Sequence, residues 1–252
     1  MKKRPYITHN LEIQFQDDAI GCSSIEFQME CIYNLLRGTA SLDPLLQPTR
    51  WFVATGERDS SYMYRAFDDQ GPTTAAIAVL RQDNKEKTAV QSFTLWNGEE
   101  DHTKGAAIAC HFSRQDGRSS SLTMRMDSEP DGFRLGDFTH GVKMLTETVQ
   151  LYKPLYCSVS PGQYDAVFPD RPGVGWMIYL PRILTIQQVP EARALVPVMG
   201  KDEEGKDRQI GTIIVSVTEE PFSDLNPEHV KLANAIEIRL VDQDLLPRFA
   251  DL

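Results

Sequence analysis

VQSFTLWNGEEDHTKGAAIACHFSRQDGRSSSLTMRM, residues 90–126, decides the fold class of this 252-residue chain. It contains three strand-like segments, at 90–96, 106–112 and 120–126, which are rich in apolar and β-branched residues. The residues between them favour turns, namely Asn97-Gly98 and Gln115-Asp116-Gly117. Because such turns bring consecutive strands side by side, the stretch predicts an antiparallel meander.

Strand patterns also occur outside the meander. Residues 6–15 alternate apolar and polar side chains, which is typical of a half-buried strand. Short strands are predicted at 51–56, 156–160 and 174–181. The segments 194–199 and 209–218 flank a very polar loop, and they predict a β-hairpin.

Helical periodicity predicts three substantial helices. The first runs from about 23 to 37, with a Ser23-x-x-Glu26 capping box and a stop at Gly38. The second spans Phe138 to Tyr152 and ends before Pro154. The third starts at the Asn226 N-cap and runs to about 242. One or two helical turns are predicted at 60–67, and Thr73 or Thr74 is predicted to cap an alanine-rich helix that runs through Leu80. The fold class is therefore α+β, mainly antiparallel meanders packed with three or more helices, in a single domain over 1–252.

Composition limits the function classes. The formal net charge of −10 argues against nucleic-acid binding, which needs concentrated Lys and Arg, and favours a basic protein partner. No apolar run reaches the roughly 20 residues that cross a bilayer. Polar residues follow the basic opening Lys2-Lys3-Arg4 where a signal peptide is apolar, so we expect a cytoplasmic protein. The cysteines Cys22, Cys31, Cys110 and Cys157 are irregularly spaced, which indicates reduced, mostly buried thiols and no metal site.

Motifs that carry chemistry are incomplete. Cys110-His111 is no dyad, because neighbouring strand residues point to opposite faces. The segment starting Gly173-Val174-Gly175 lacks the third glycine of a dinucleotide fingerprint. Asp170 with Glu204 and Lys206 only superficially resembles a metal-dependent nuclease site. We expect no catalytic residues, no cofactor and no metal.

Two segments resemble a known family. They are Pro48-Thr49-Arg50-Trp51-Phe52 followed by Tyr64-Arg65-Ala66-Phe67-Asp68, and Arg171-Pro172-Gly173-Val174-Gly175-Trp176-Met177-Ile178-Tyr179-Leu180-Pro181. They are similar to signatures of bacterial immunity proteins that are cognate to restriction-endonuclease-like polymorphic toxins of type VI secretion. The resemblance implies a stoichiometric inhibitor that binds the nuclease toxin domain and is not an enzyme. It also implies structural roles for its motif residues, Trp51, Phe67, Gly173, Gly175, Trp176 and Pro181.

The contact residues are predicted from exposure. Trp51, Trp96 and Trp176 are large enough to anchor an interface, but tryptophans in apolar strands are mostly core residues. Exposed acidic turns are better candidates for contact with a basic toxin. They are Glu99, Glu100 and Asp101 in one loop, and Asp202, Glu203 and Glu204 in another. Two alternatives remain open: a small hydrolase that uses Asp170 or His140, and a secretion-system adaptor. The oligomeric state is not predicted.

Overall fold

One antiparallel sheet organises the protein. The computed structural model describes residues 5–16, 24–87, 89–115, 117–130, 134–201 and 204–252. In these ranges nine strands form the order β2-β3-β4-β5-β1-β6-β7-β9-β8, with every neighbouring pair antiparallel. The strands are β1 (Ile7–Phe15), β2 (Phe52–Val53), β3 (Val90–Trp96), β4 (Ala106–Ser113), β5 (Ser120–Ser128), β6 (Tyr156–Pro161), β7 (Met177–Leu180), β8 (Ala194–Lys201) and β9 (Asp207–Val215).

Five α-helices accompany the sheet in the same ranges, which confirms the α+β prediction. They are α1 (Ile25–Thr39), α2 (Arg58–Ser61), α3 (Thr74–Asp83), α4 (Phe138–Tyr152) and α5 (Pro227–Asp242). Side chains cap four of them: Ser24, Thr73, Asp137 and Asn226 each accept a hydrogen bond from a backbone N–H in the first turn. Short 3-10 turns occur at Pro44–Leu46, Pro48–Arg50 and Phe249–Asp251.

The meander prediction is confirmed, as are β1, α4, α5 and the β8–β9 hairpin. Several boundaries differ. The helix predicted to stop at Gly38 continues to Thr39, because Gly38 packs against α4, where an added Cβ would lie 3.3 Å from Glu147 Oε2. Its N-cap is Ser24, while Ser23 lies outside the described residues. The strand predicted at 174–181 begins only at Met177, after Gly175 takes a φ of +52°.

The remaining differences concern the segment before the meander. The strand predicted at 51–56 is only Phe52–Val53, and the turns predicted at 60–67 form a single short helix at Arg58–Ser61. The 39–50 linker contains two of the 3-10 turns, each started by a proline. This proline-rich segment leads the chain from the helix layer to the edge of the sheet.

The two faces of the sheet differ. One face packs against α1, α3 and α4 in the main core, which contains Leu11, Met124 and Leu145. On the other face α5 and the 184–192 crossover cover the β6-β7-β9 region through a second core cluster, with Ile178, Ile214 and Ile236 among its members. The β3-β4-β5 part of this second face is left open. No helix in the described ranges is long and apolar enough to cross a membrane.

Candidate toxin-binding surface

The first acidic loop joins β3 to β4. Its carboxylates are paired with nearby cations: Glu99 with Arg50, Glu100 with Arg58 at 3.3 Å, and Asp101 with Lys104 at 3.2 Å. Asp101 also accepts hydrogen bonds from the Thr103 backbone and hydroxyl, both at 2.9 Å, and these hydrogen bonds lower the pKa of its carboxyl. The loop is therefore an ordered zwitterionic turn rather than a uniformly negative one.

The second acidic loop joins β8 to β9. Asp202 and Glu203 lie outside the described residues. Glu204 is exposed and its carboxylate lies 2.6 Å from Lys206 Nζ, while Lys201 and Asp207 pair across the hairpin, also at 2.6 Å. Local cations thus accompany this loop as well.

The sheet topology separates the two loops. Because every neighbouring pair is antiparallel, strand direction alternates along the sheet, and the β3–β4 and β8–β9 connections fall at opposite ends of it. They also belong to opposite edges, six strand spacings apart, which corresponds to roughly 30 Å. The structure does not bring the two predicted contact loops together.

The two halves of the first family motif, residues 48–52 and 64–68, are joined by backbone hydrogen bonds. Trp51 accepts a backbone hydrogen bond from Ala66 N at 2.8 Å, and Val53 N donates to Tyr64 O at 2.9 Å. The Trp51 and Phe67 side chains are fully buried, and the Phe67 ring lies 5.8 Å from that of Tyr33. Segment 64–67 thereby covers the outer edge of β2.

The second family motif, residues 171–181, is mostly buried. Trp176 is fully buried and its Nε1 donates to Val217 O at 2.9 Å. Gly175 has no room for a side chain, because an added Cβ would lie 2.3 Å from Ser160 Cβ. Gly173 is less crowded, with an added Cβ 3.1 Å from Ala166 Cβ and from a ring carbon of Tyr164. Pro181, in contrast, is exposed at the end of β7.

A buried carboxylate that was not predicted from the sequence holds the second motif, residues 171–181, in place. Glu237 of α5 is 1% exposed and accepts hydrogen bonds from the Tyr164 hydroxyl at 2.7 Å, Val167 N at 2.7 Å and Val174 N at 2.8 Å. Burial and the neighbouring Glu237 charge raise the pKa of the Tyr164 hydroxyl. The signal was present in the sequence, since Glu237 falls on the apolar stripe that Ala233 and Leu240 define.

The candidates for catalysis stay apart. His140 lies in the first turn of α4 and its Nδ1 hydrogen-bonds the Leu135 carbonyl. The backbone carbonyl of Asp170 accepts from Phe249 N in the C-terminal turn, which packs on the opposite face against Tyr156. Cys110 is buried and His111 exposed, as their alternation predicted.

The described cysteines, Cys31, Cys110 and Cys157, are free and buried; Cys22 lies outside the described residues. Burial raises the pKa of the Cys31 thiol to about 11. Within the described ranges no cluster of three potential metal ligands occurs.

Comparison with known proteins extends these observations. The family model Imm52, Immunity protein 52, matches residues 26–248 and so covers both motifs, the meander and α5. Among solved structures, the Pseudomonas aeruginosa T6SS protein PA0821 aligns with 92% of this chain and 76% of its own, at 11% identity and a TM-score of 0.47. That score is too low to carry a functional comparison. No curated protein matches the sequence.

Proposed function

Because the chain belongs to the Immunity protein 52 family, we propose that it binds and neutralises a cognate nuclease toxin and so protects the cell that makes both. The family match over residues 26–248 supports a function in immunity, exerted by binding a toxin protein without catalysis. It also favours immunity over the hydrolase and adaptor alternatives. We further propose that this toxin is a nuclease.

The charge of the chain supports a nuclease partner. A nuclease must attract phosphates, so its DNA-binding surface is basic. A protein with a formal net charge of −10 is attracted to such a surface and associates with it faster at low ionic strength. The two motif segments that resemble immunity proteins of nuclease toxins agree with this partner.

We place the toxin contact at the Glu99-Glu100-Asp101 loop. The two loops are separated by about 30 Å across the strands and by a further strand length of about 20 Å along them, whereas a standard interface of about 800 Å² per partner is roughly 30 Å across. One interface therefore does not reach both acidic loops. Glu100 is 63% exposed and Arg58 55%, and exposed pairs of this kind contribute only about 0–1 kcal/mol. These carboxylates can therefore exchange their present partners for basic groups of a toxin at little cost.

Neutralisation needs only binding. A bound inhibitor either covers the DNA cleft of the nuclease or disturbs its assembly, and neither route involves chemistry on this chain. We place the protein in the cytoplasm, where the DNA substrate lies, and propose that the toxin is a type VI secretion effector. Three free, buried thiols are compatible with a reducing compartment.

Co-expression tests the proposal. A toxin gene adjacent to this one is expected to arrest growth by degrading DNA, and this chain is expected to restore growth and to co-purify with the toxin. If growth stays arrested although the chain is folded and abundant, or if the toxin has no nuclease activity, the proposal is wrong.

A charge-reversal pair locates the contact. We expect Glu99→Lys, Glu100→Lys and Asp101→Lys together to weaken binding by about tenfold or more at low salt. The matched triple Asp202→Lys, Glu203→Lys and Glu204→Lys makes the same charge change at the opposite corner and should alter affinity much less. A larger loss in the second triple would move the interface to the β8–β9 loop.

A further inference from the structure

An exposed aromatic cluster lies beside the Glu99-Glu100-Asp101 loop. The rings of Phe52, Tyr62 and Trp96 are mutually in contact, with centroid distances of 5.3 Å for Phe52–Tyr62, 5.2 Å for Tyr62–Trp96 and 6.3 Å for Phe52–Trp96. Next to them Met63 is 72% exposed and Tyr62 38%, while Phe52 and Trp96 are half-buried. We call these four residues the Trp96 corner.

The corner is held in place in the free protein. The Tyr62 hydroxyl donates to Gly98 O at 3.0 Å, which ties the cluster to the acidic loop, and the Arg65 guanidinium lies 5.9 Å from the centre of the Phe52 ring. An added Cβ on Gly98 would lie 2.8 Å from the Phe52 ring, so only glycine permits this close packing. Aromatic groups that are ordered before binding lose little conformational entropy when a partner arrives.

The Trp96 corner continues into the open part of the sheet. The strand register places Trp96 beside Ala107 and then Arg125, and the next row on the same face contains Thr94, Ala109 and Thr123. Most of these side chains are small, and all of them are half-buried or exposed. The three strands β3, β4 and β5 at about 4.8 Å spacing give a face roughly 15 Å wide, so a partner can lie flat against it.

The Trp96 corner and the charged residues beside it together have the composition of a protein interface. Tryptophan, tyrosine and arginine are the residue types that most often carry binding energy, usually inside a polar rim. Here Arg58 and Glu100 form an exposed rim beside the rings.

We propose that the Trp96 corner anchors the toxin, and that the open β3-β4-β5 face supplies the rest of the contact. This inference rests on the proposed function. The matching toxin surface presents an apolar side chain that packs between Met63 and Tyr62, and basic groups that meet Glu100 and Asp101.

Affinity measurements with the inactivated toxin from the adjacent gene test the anchor. We expect Trp96→Ala and Met63→Glu each to raise Kd by about tenfold or more, as hot-spot substitutions do. Met199→Glu is the matched control, because Met199 is 49% exposed on β8 at the opposite edge of the sheet, and it should leave Kd unchanged. Circular dichroism checks the fold of each variant, and Met63→Glu decides the matter if Trp96→Ala does not fold.

Two failures are distinguishable. If the wild-type chain binds the toxin and Met63→Glu binds equally well, the anchor is wrong and the immunity function stands. If the wild-type chain itself does not bind the toxin, the proposed function fails together with the anchor. Thr123→Arg adds a bulky charge to the open face two strands away from Trp96, and unchanged affinity in that variant would remove the β3-β4-β5 face from the interface.

Discussion

Glu237→Ala is expected to destabilise the protein strongly. The substitution removes the acceptor for Tyr164, Val167 and Val174 at once. The Tyr164 hydroxyl can still donate to Asn234 Oδ1 at 2.8 Å, so two backbone N–H groups lose their partner. A buried donor without a partner costs about 1–3 kcal/mol. Val174 is fully buried and takes the upper part of that range, whereas Val167 is exposed and takes the lower part. With the cavity, the loss is roughly 3–5 kcal/mol.

Urea unfolding followed by circular dichroism measures this loss. Glu228→Ala is the matched control, because Glu228 lies on the same helix with a side chain 79% exposed and a loose 3.9 Å pair with Lys231. The control should change stability by less than about 0.5 kcal/mol. Glu237→Gln keeps one acceptor oxygen but turns an NH₂ group toward a donor, so it should fall between the two. If Glu237→Ala unfolds at the same urea concentration as Glu228→Ala, the reasoning about this carboxylate is refuted.

Further outcomes follow from a glycine and a histidine. Gly175→Ala should lower stability by roughly 3 kcal/mol, because the alanine would combine a positive φ with a clash against Ser160. Gly205 also has a positive φ but open space around it, so Gly205→Ala should lower stability by only about 1 kcal/mol in the same thermal melt. Burial lowers the pKa of His9 from 6.5 to about 4, so the folded state binds fewer protons than the unfolded state, and roughly 3 kcal/mol of stability should disappear as the pH falls from 6.5 to 4. His9→Asn should flatten that part of the stability profile relative to the wild-type protein; equal slopes in the two proteins would contradict the assignment.

The meander and the long helices could be predicted because each follows a local rule. Leu122, Met124 and Met126 alternate with residues on the open face, and Asn226 with Pro227 begins a helix whatever surrounds it. Gly38 shows the limit of such rules. Gly38 keeps a helical backbone and packs against Glu147 of α4, so tertiary packing outweighs its local stop signal.

The binding surface was harder to predict because it depends on the strand order. Both acidic loops are exposed turns in the sequence, and only the order β2-β3-β4-β5-β1-β6-β7-β9-β8 shows that they lie at opposite corners. Trp96 resembles Trp51 and Trp176 in its apolar surroundings. It differs from them because its strand directs it to the uncovered face, where Phe52 and Tyr62 meet it.

Titration of the nuclease activity that we propose for the toxin, with this chain as the titrant, tests the account most directly. The account predicts that cleavage falls in proportion to added protein and stops at one chain per toxin domain, with a complex of that stoichiometry recovered by size-exclusion chromatography. The Glu237→Ala variant, if folded at the assay temperature, should inhibit with the same stoichiometry, because its effect is on stability alone. Cleavage that persists in the presence of excess folded wild-type protein, with no complex formed, would contradict the account.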